Sequence, residues 1–280
     1  MEKVINLGIP HVSEQIFESI ETEGLIECIK VSQTWKVLAE NVLIKRCIGK
    51  MIDACEKGET KVVQLLLEHC NFEESGLNFK DIHGMTAFIW ACRDGHKDVV
   101  ELLLDYSDPK FDLNARDKYG MNALMNACQK GQKNIVQVLL DHSDPQIDLN
   151  TVSILGSTAF AYACRNGYKD VVQLLLDHSE SNIDLNARDI SERTALMEAC
   201  REGHEDVVQL ILENSSPNID LYARDMIGYD AFTWACWDGQ KNIVQLFLDH
   251  SDPKINIALM VAHRKGHQEI VQLIKSRNKK

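Results

Sequence analysis

An all-α solenoid is the fold class this sequence predicts, and three observations predict it. The dipeptide Ala-Cys recurs at Ala91-Cys92, Ala127-Cys128, Ala163-Cys164, Ala199-Cys200 and Ala235-Cys236, each 36 residues after the last. A glycine follows each pair (Gly95, Gly131, Gly167, Gly203, Gly239), and an apolar stripe such as Val99-Val100 and Leu102-Leu103-Leu104 follows the glycine. The first 46 residues do not repeat and carry apolar positions at helical spacing. A fixed period in this range marks units that bury their apolar faces only against their neighbours.

The elements follow in order. Ile16, Phe17 and Ile20 fit one short amphipathic helix, and Leu25, Cys28 and Ile29 fit a second. A third is predicted from about Ser32 through Trp35, Leu38 and Val42. Pro10 stands just before the first, where proline is tolerated. The repeats are expected over residues 47–280, as about seven units of which the first (Ala54-Cys55) and the last (Ala262-His263) are atypical.

Within the unit at residues 81–116, Asp81 and Gly84 mark a turn. Thr86 then stands where a helix N-cap is needed. The same slot holds Asn122, Thr158, Thr194 and Asp230, all side chains that accept a bond from the first helical N–H groups. The small pair Ala91-Cys92 lets neighbouring helices approach, and Gly95 ends the helix in the usual left-handed way. A second helix carries the Val/Leu stripe until Ser107-Asp108-Pro109 breaks it. Asp112-Leu113-Asn114 leads into the next turn, where Asn114, Asn150 and Asn186 are expected to brace it.

Composition narrows the function classes. The chain has 280 residues, is 45% hydrophobic and 26% charged, and carries a formal net charge of −12. That acidity argues against nucleic acid as the main partner, since nucleic-acid binders show a basic footprint. Residues 1–46 hold seven acids and five bases, a net of −2, so −10 remains on the array. Asp105, Asp141, Asp177, Glu213 and Asp249, near the second-helix ends, account for much of it and read as a solvated outer face.

Six of the nine cysteines (55, 92, 128, 164, 200 and 236) share one helix position. Stacked helices lie roughly 8–10 Å apart and disulfide-bonded Cα atoms about 4.4–6.8 Å, so these thiols are read as small buried hydrophobes. Free thiols in this number suit a reducing compartment, cytoplasm or nucleus. Apolar runs stop far short of a membrane span. No phosphate-cradling glycine loop, nucleophile elbow or metal-ligand pair occurs, so no catalytic residue, metal or cofactor is assigned and an enzyme is not expected.

The repeat resembles the ankyrin repeat. The match lies in Asp-x-x-Gly-x-Thr-x-Leu/Phe, the paired small residues, Gly-His at Gly95-His96, Gly203-His204 and Gly266-His267, and the Val-Val-x-Leu-Leu stripe, over about residues 48–280. Thr86-Ala87-Phe88-Ile89 stands where the family has Thr-Pro-Leu-His, and each unit is three residues longer than the usual 33. Glu192 takes the place of a turn glycine, and the sixth unit is shortened to 27 residues between Ala235 and Ala262. The segment 1–46 resembles an F-box: Ile9-Pro10, Ile16-Phe17, Leu25, Val31-Ser32, Trp35 and Leu38 follow that family's order and spacing.

Together these resemblances imply a substrate receptor of an SCF-type ubiquitin ligase. Ile9, Pro10, Ile16, Phe17, Leu25, Val31, Trp35 and Leu38 would bind a Skp-family adaptor and through it a cullin complex, catalysis belonging to other subunits. The alternative is an ankyrin scaffold or inhibitor whose N-terminal helices only cap the stack, as such arrays require. In ankyrin proteins the first-helix face and the hairpin tips line the concave side. Trp90, Arg93, Tyr162, Arg165, Arg201, Trp234 and Trp237, with Tyr119 and Tyr229 at tips, are the expected target-binding residues. Arginine and aromatic side chains are the ones most enriched in binding hot spots, and an acidic or aromatic-containing protein segment suits them. Packing of Trp90 and Trp234 between repeats, covered by arginines, is an equal reading.

Overall fold

The computed structural model describes residues 33–69, 76–106, 112–142, 147–178, 183–213, 219–251 and 253–277, with backbone alone at 33–41, 43 and 44. Ile9, Pro10, Ile16, Phe17, Leu25 and Val31 lie outside the described residues, as do the side chains of Trp35 and Leu38. The described residues form fourteen α-helices, one 3-10 turn at Gly76–Asn78 and no strand. These are α1 (Gln33–Lys57), α2 (Thr60–His69), α3 (Ala87–Asp94), α4 (Lys97–Asp105), α5 (Ala123–Lys130), α6 (Lys133–Asp141) and α7 (Ala159–Arg165). They continue as α8 (Lys169–Asp177), α9 (Ala195–Glu202), α10 (Glu205–Glu213), α11 (Ala231–Trp237), α12 (Lys241–His250), α13 (Ile255–Lys265) and α14 (Gln268–Arg277). None is long and apolar enough to cross a membrane.

The chain divides into two compact units, Met1–Ala91 with Asp98–Asp112, and Cys92–Lys97 with Leu113–Lys280. In the first, α1 packs on α2. The helix expected from Ser32 and the first helix of the first repeat are one 25-residue element, α1, which runs through position 46. Nothing between them stops it: Gly49 alone interrupts the pattern, and a Cβ there would meet nothing within 4 Å.

In the second unit α5, α7, α9, α11 and α13 pack successively against one another, and α6, α8, α10, α12 and α14 form the parallel row. The Ala-Cys pairs sit where the first helices meet: Ala127, Cys128, Ala163, Cys164, Ala199, Cys200, Ala235 and Cys236 are fully buried. Their thiols are free. Desolvation pushes Cys164 and Cys200 well above the ordinary thiol range, and in the first unit raises Cys55 to about 12.

Local chemistry starts and stops the first helices of five units, α3, α5, α7, α9 and α11. The five N-cap side chains accept the expected bonds: Thr86 from Ile89 N (3.3 Å), Asn122 from Met125 N (3.0 Å), Thr158 from Ala161 N (3.2 Å), Thr194 from Met197 N (3.5 Å) and Asp230 from Thr233 N (2.8 Å). Glycines close the first helices at positive φ, as Gly131 does at 70°. Glu192 holds φ 61° where the other turns use glycine, a conformation that costs an L residue about 1–2 kcal/mol.

The hairpin asparagines do something the sequence reading did not anticipate. Asn114, Asn150 and Asn186 each accept, through Oδ1, the backbone N–H of the aspartate 34 residues on: Asp148, Asp184 and Asp220, all at 2.8 Å. They tie repeat to repeat. In the shortened sixth unit only Ser251–Lys254 separates α12 from α13, and the Arg277 guanidinium donates to Ser251 O at 3.1 Å across the gap.

Candidate functional site

The inner face of each first helix is built by one repeated bond, reaching back nine residues from helix to turn. Trp90 Nε1 donates to Asp81 Oδ2 (2.8 Å), Asn126 Nδ2 to Asp117 Oδ2 (3.2 Å), Tyr162 Oη–H to Ser153 Oγ (3.4 Å) and Trp234 Nε1 to Asp225 Oδ2 (2.9 Å). The turn residue also accepts two backbone N–H groups, at 2.7 and 2.9 Å for Asp81 and 3.0 and 2.8 Å for Asp225. Burial alone would raise the Asp81 carboxyl. The bonds from Met85 N–H, Trp90 Nε1–H and His83 N–H outweigh it and hold the group below its usual range.

The fifth repeat shows why the rule takes another form there. Glu198 occupies the donor position, and an ionised acid has no proton to give Asp189. Arg193 bridges the two, with Nη2 donating to Asp189 Oδ2 at 3.0 Å and Nη1 lying 2.9 Å from Glu198 Oε1. Arg165 Nε (3.5 Å) and Arg201 Nη1 (3.6 Å) approach the same buried carboxylate. Neither Glu198 oxygen receives a well-aligned hydrogen bond, so the attraction is one of charge rather than direction. Arg201 also donates to Glu202 Oε1 at 2.7 Å.

Each residue expected at the target surface therefore has a definite place. Trp90 and Trp234 are half-buried and tethered by their indole N–H, and Tyr162 is buried, presenting almost no surface. Arg93, Arg165 and Arg201 are half-buried, the last two gathered on Glu198. Tyr229, Trp234 and Trp237 form one half-buried cluster, with ring centroids 5.6, 5.7 and 6.2 Å apart in tilted or edge-on pairs. The Lys265 ammonium lies on the Trp237 face, 3.7 Å from the ring centroid. Tyr119 projects from its tip with Lys118 Nζ 5.1 Å from the ring centroid.

Gln132, His204 and His267, each after a helix-closing glycine, hook onto the preceding repeat. Gln132 Nε2 donates to Arg93 O (3.1 Å), and the Nε2 of His204 and of His267 bonds Arg165 O (2.9 Å) and Trp237 O (3.1 Å). The preceding repeat's glycine makes room for the hook, since a Cβ on Gly167 would lie 2.4 Å from His204 Nδ1. The histidines therefore hold backbone. Among the described residues no group of three or more His, Cys, Asp or Glu is placed to hold a metal ion.

Beside Tyr119 and Tyr229 the tips carry exposed apolar side chains that the repeat pattern does not single out. Ile154, Ile190 and Met226 immediately follow the turn residues Ser153, Asp189 and Asp225 and point into solvent, with Leu155 and Ile227 beside them. The available signal was compositional: an apolar residue after the turn acid, where a solvated loop favours a polar one.

One relative aligns at high identity over a short stretch. The match to osteoclast-stimulating factor 1 of Monopterus albus is 54% identical over 39 residues, which is 14% of this chain and 18% of the relative, so the chain spans less than a fifth of that protein's length. The family model described as ankyrin repeats, in three copies, matches residues 51–153 and 144–225. With the period, the N-caps and the paired helices all in place over more than half of its length, this chain belongs to the ankyrin-repeat family.

Proposed function

We propose that this chain is a substrate receptor of an SCF-type ubiquitin ligase, working in a reducing compartment. Its ankyrin repeats make it a protein–protein interaction module. The finer reading assigns residues 1–46 to a Skp-family adaptor and residues 47–280 to the target. The observation that carries it is the ordered run Ile9-Pro10, Ile16-Phe17, Leu25, Val31-Ser32, Trp35 and Leu38 placed directly before an ankyrin array. The target would meet Arg93, Arg165, Arg201, Trp237, Tyr119 and Tyr229, with Tyr162 and Trp234 holding that face in shape. The receptor supplies proximity, turning a chance encounter into an effectively intramolecular transfer.

A capped scaffold is the second reading, and the unbroken α1 favours it, because that helix is continuous with the first repeat. Titration of the purified chain with a Skp-family adaptor separates the two. The receptor reading predicts binding that an Ile9→Asp/Pro10→Ala variant of unchanged helicity loses. Absence of binding by the folded wild-type chain leaves the capped scaffold.

A further inference from the structure

We infer that the last two helices, α13 and α14, form a latch that opens as one unit while α5–α12 stay folded. In a solenoid each unit is held by its own packing and by its contacts with its neighbours, so the junction with the fewest ties opens first. Neighbouring hairpins of the second unit are joined by two bonds. An asparagine Oδ1 accepts the backbone N–H of the next hairpin's aspartate, as Asn186 does from Asp220 (2.8 Å). A backbone bond then links tip to tip, from Ile154 N–H to Tyr119 O (2.9 Å), Ile190 N–H to Leu155 O (3.0 Å) and Met226 N–H to Ser191 O (3.2 Å).

At the last junction this lacing ends. Tyr222 stands in the asparagine's place, and Ser251–Lys254 is too short for a further hairpin. α13 also starts without a side-chain cap, at Lys254, whereas Asn122, Thr158, Thr194 and Asp230 cap α5, α7, α9 and α11. His267 Nε2 bonds Trp237 O (3.1 Å), the Arg277 guanidinium donates to Ser251 O (3.1 Å), and the Lys265 ammonium rests 3.7 Å from the Trp237 centroid. The Lys241–Glu269 pair (2.8 Å) has both side chains more than half exposed and adds little. Ala258, Val261, Ala262, Ile270, Val271 and Ile274 supply the buried apolar contact.

Opening has two consequences. α13 packs on α11, so its departure uncovers Cys236, a thiol that is fully buried in the closed array. Lys265 leaves with α13 and bares the face of Trp237. Trp237 is among the side chains expected to meet a target, so a target that needs that face selects the open latch. That second consequence rests on the proposed function, whereas the opening itself does not.

Native-state hydrogen exchange on the full chain reads the latch at equivalent amides. Val136, Val172, Val208, Val244 and Val271 are all buried, and each N–H donates to the carbonyl four residues back. The expected result is a step, with protection at Val271 about tenfold or more below that at Val244 and Val244 grouping with Val136, Val172 and Val208. Amides of α13 and α14 should share one opening free energy and one shallow urea slope, the mark of a single small unit. Val63 lies in the first repeat, where Asn78 Oδ1 still accepts the N–H of Asp112 (2.8 Å), and should stay better protected than Val271. Arg277→Ala, with helicity checked by circular dichroism, should lower protection at Val271 and speed maleimide labelling of Cys236 roughly threefold or more, leaving Val172 and Cys164 unchanged. Protection at Val271 equal to that at Val244, an even decline from Val208 through Val271, or equal loss at Val63 and Val271, which is plain end fraying, overturns the inference. Adaptor titration reads residues 1–46 and shares no readout with these amides, so failure there and failure here are separate results.

Discussion

Replacing Gly156 by alanine should loosen the joint between two tips far more than the same replacement at Gly228. Both glycines hold left-handed turns, at φ 76° and 81°, so each substitution carries the same conformational penalty of about 1–2 kcal/mol. That penalty is offset in part by about 0.4–1 kcal/mol from a stiffer unfolded chain. Their surroundings differ. A Cβ on Gly156 would lie 2.9 Å from Asp189 Cα and 3.0 Å from Ile190 N, main-chain atoms of the next tip that cannot rotate away. A Cβ on Gly228 would meet nothing within 4 Å. Forcing the tips apart adds an overpacking cost of about 1–3 kcal/mol at Gly156 alone. Urea denaturation followed by helical circular dichroism should therefore place Gly156→Ala about 1–3 kcal/mol below Gly228→Ala. Hydrogen exchange at Ile190 N–H, which bonds Leu155 O at 3.0 Å, should speed up in the first variant and not in the second. Equal losses in both variants would refute the claim that close approach, rather than φ, sets the cost at Gly156.

Three more outcomes follow from the repeats acting as controls for one another. Ser153 stands where other turns have aspartate, and it accepts Leu155 N and Ser157 N at 3.3 and 3.2 Å; Ser153→Asp should shorten these bonds and raise stability by about 1 kcal/mol, since a charged acceptor roughly doubles a hydrogen bond, as a urea midpoint would show. The Asp81 carboxyl titrates below its usual range, so its contribution is complete above about pH 4 and is lost as pH falls through the folded value; the stability gap between wild type and Asp81→Asn should narrow below that pH, and a constant gap would contradict the assignment. Cys164 and Cys200, buried and pushed well above the ordinary thiol range, should resist maleimide labelling in the native chain and react in urea, after the half-buried Cys47.

Much of the fold was legible because its signals are local. An N-cap needs an acceptor at one position, and Thr86, Asn122, Thr158, Thr194 and Asp230 advertise it even as the residue changes. The junction at residue 46 was not legible, because a helix continues wherever nothing stops it, and a change of motif is no stop. The inner face was read only in part: i, i+3 spacing identifies neighbours on one helix but not the bond from Trp234 to Asp225, nine residues back in the turn. Nor does spacing reveal that Arg165 and Arg193 join Arg201 on Glu198, since they come from different segments. Ile154, Ile190 and Met226, beside the expected Tyr119 and Tyr229 at the tips, were missed for a related reason. Their exposure depends on how neighbouring turns abut, which Gly156 permits and no single repeat displays.

Hydrogen exchange along the full chain, with and without a Skp-family adaptor, tests the central division of labour most directly. The account predicts new protection within residues 1–46 and unchanged exchange at Tyr119, Ile154, Ile190 and Met226, the tips left for a target. Protection at those tips, or no protection anywhere, would contradict it.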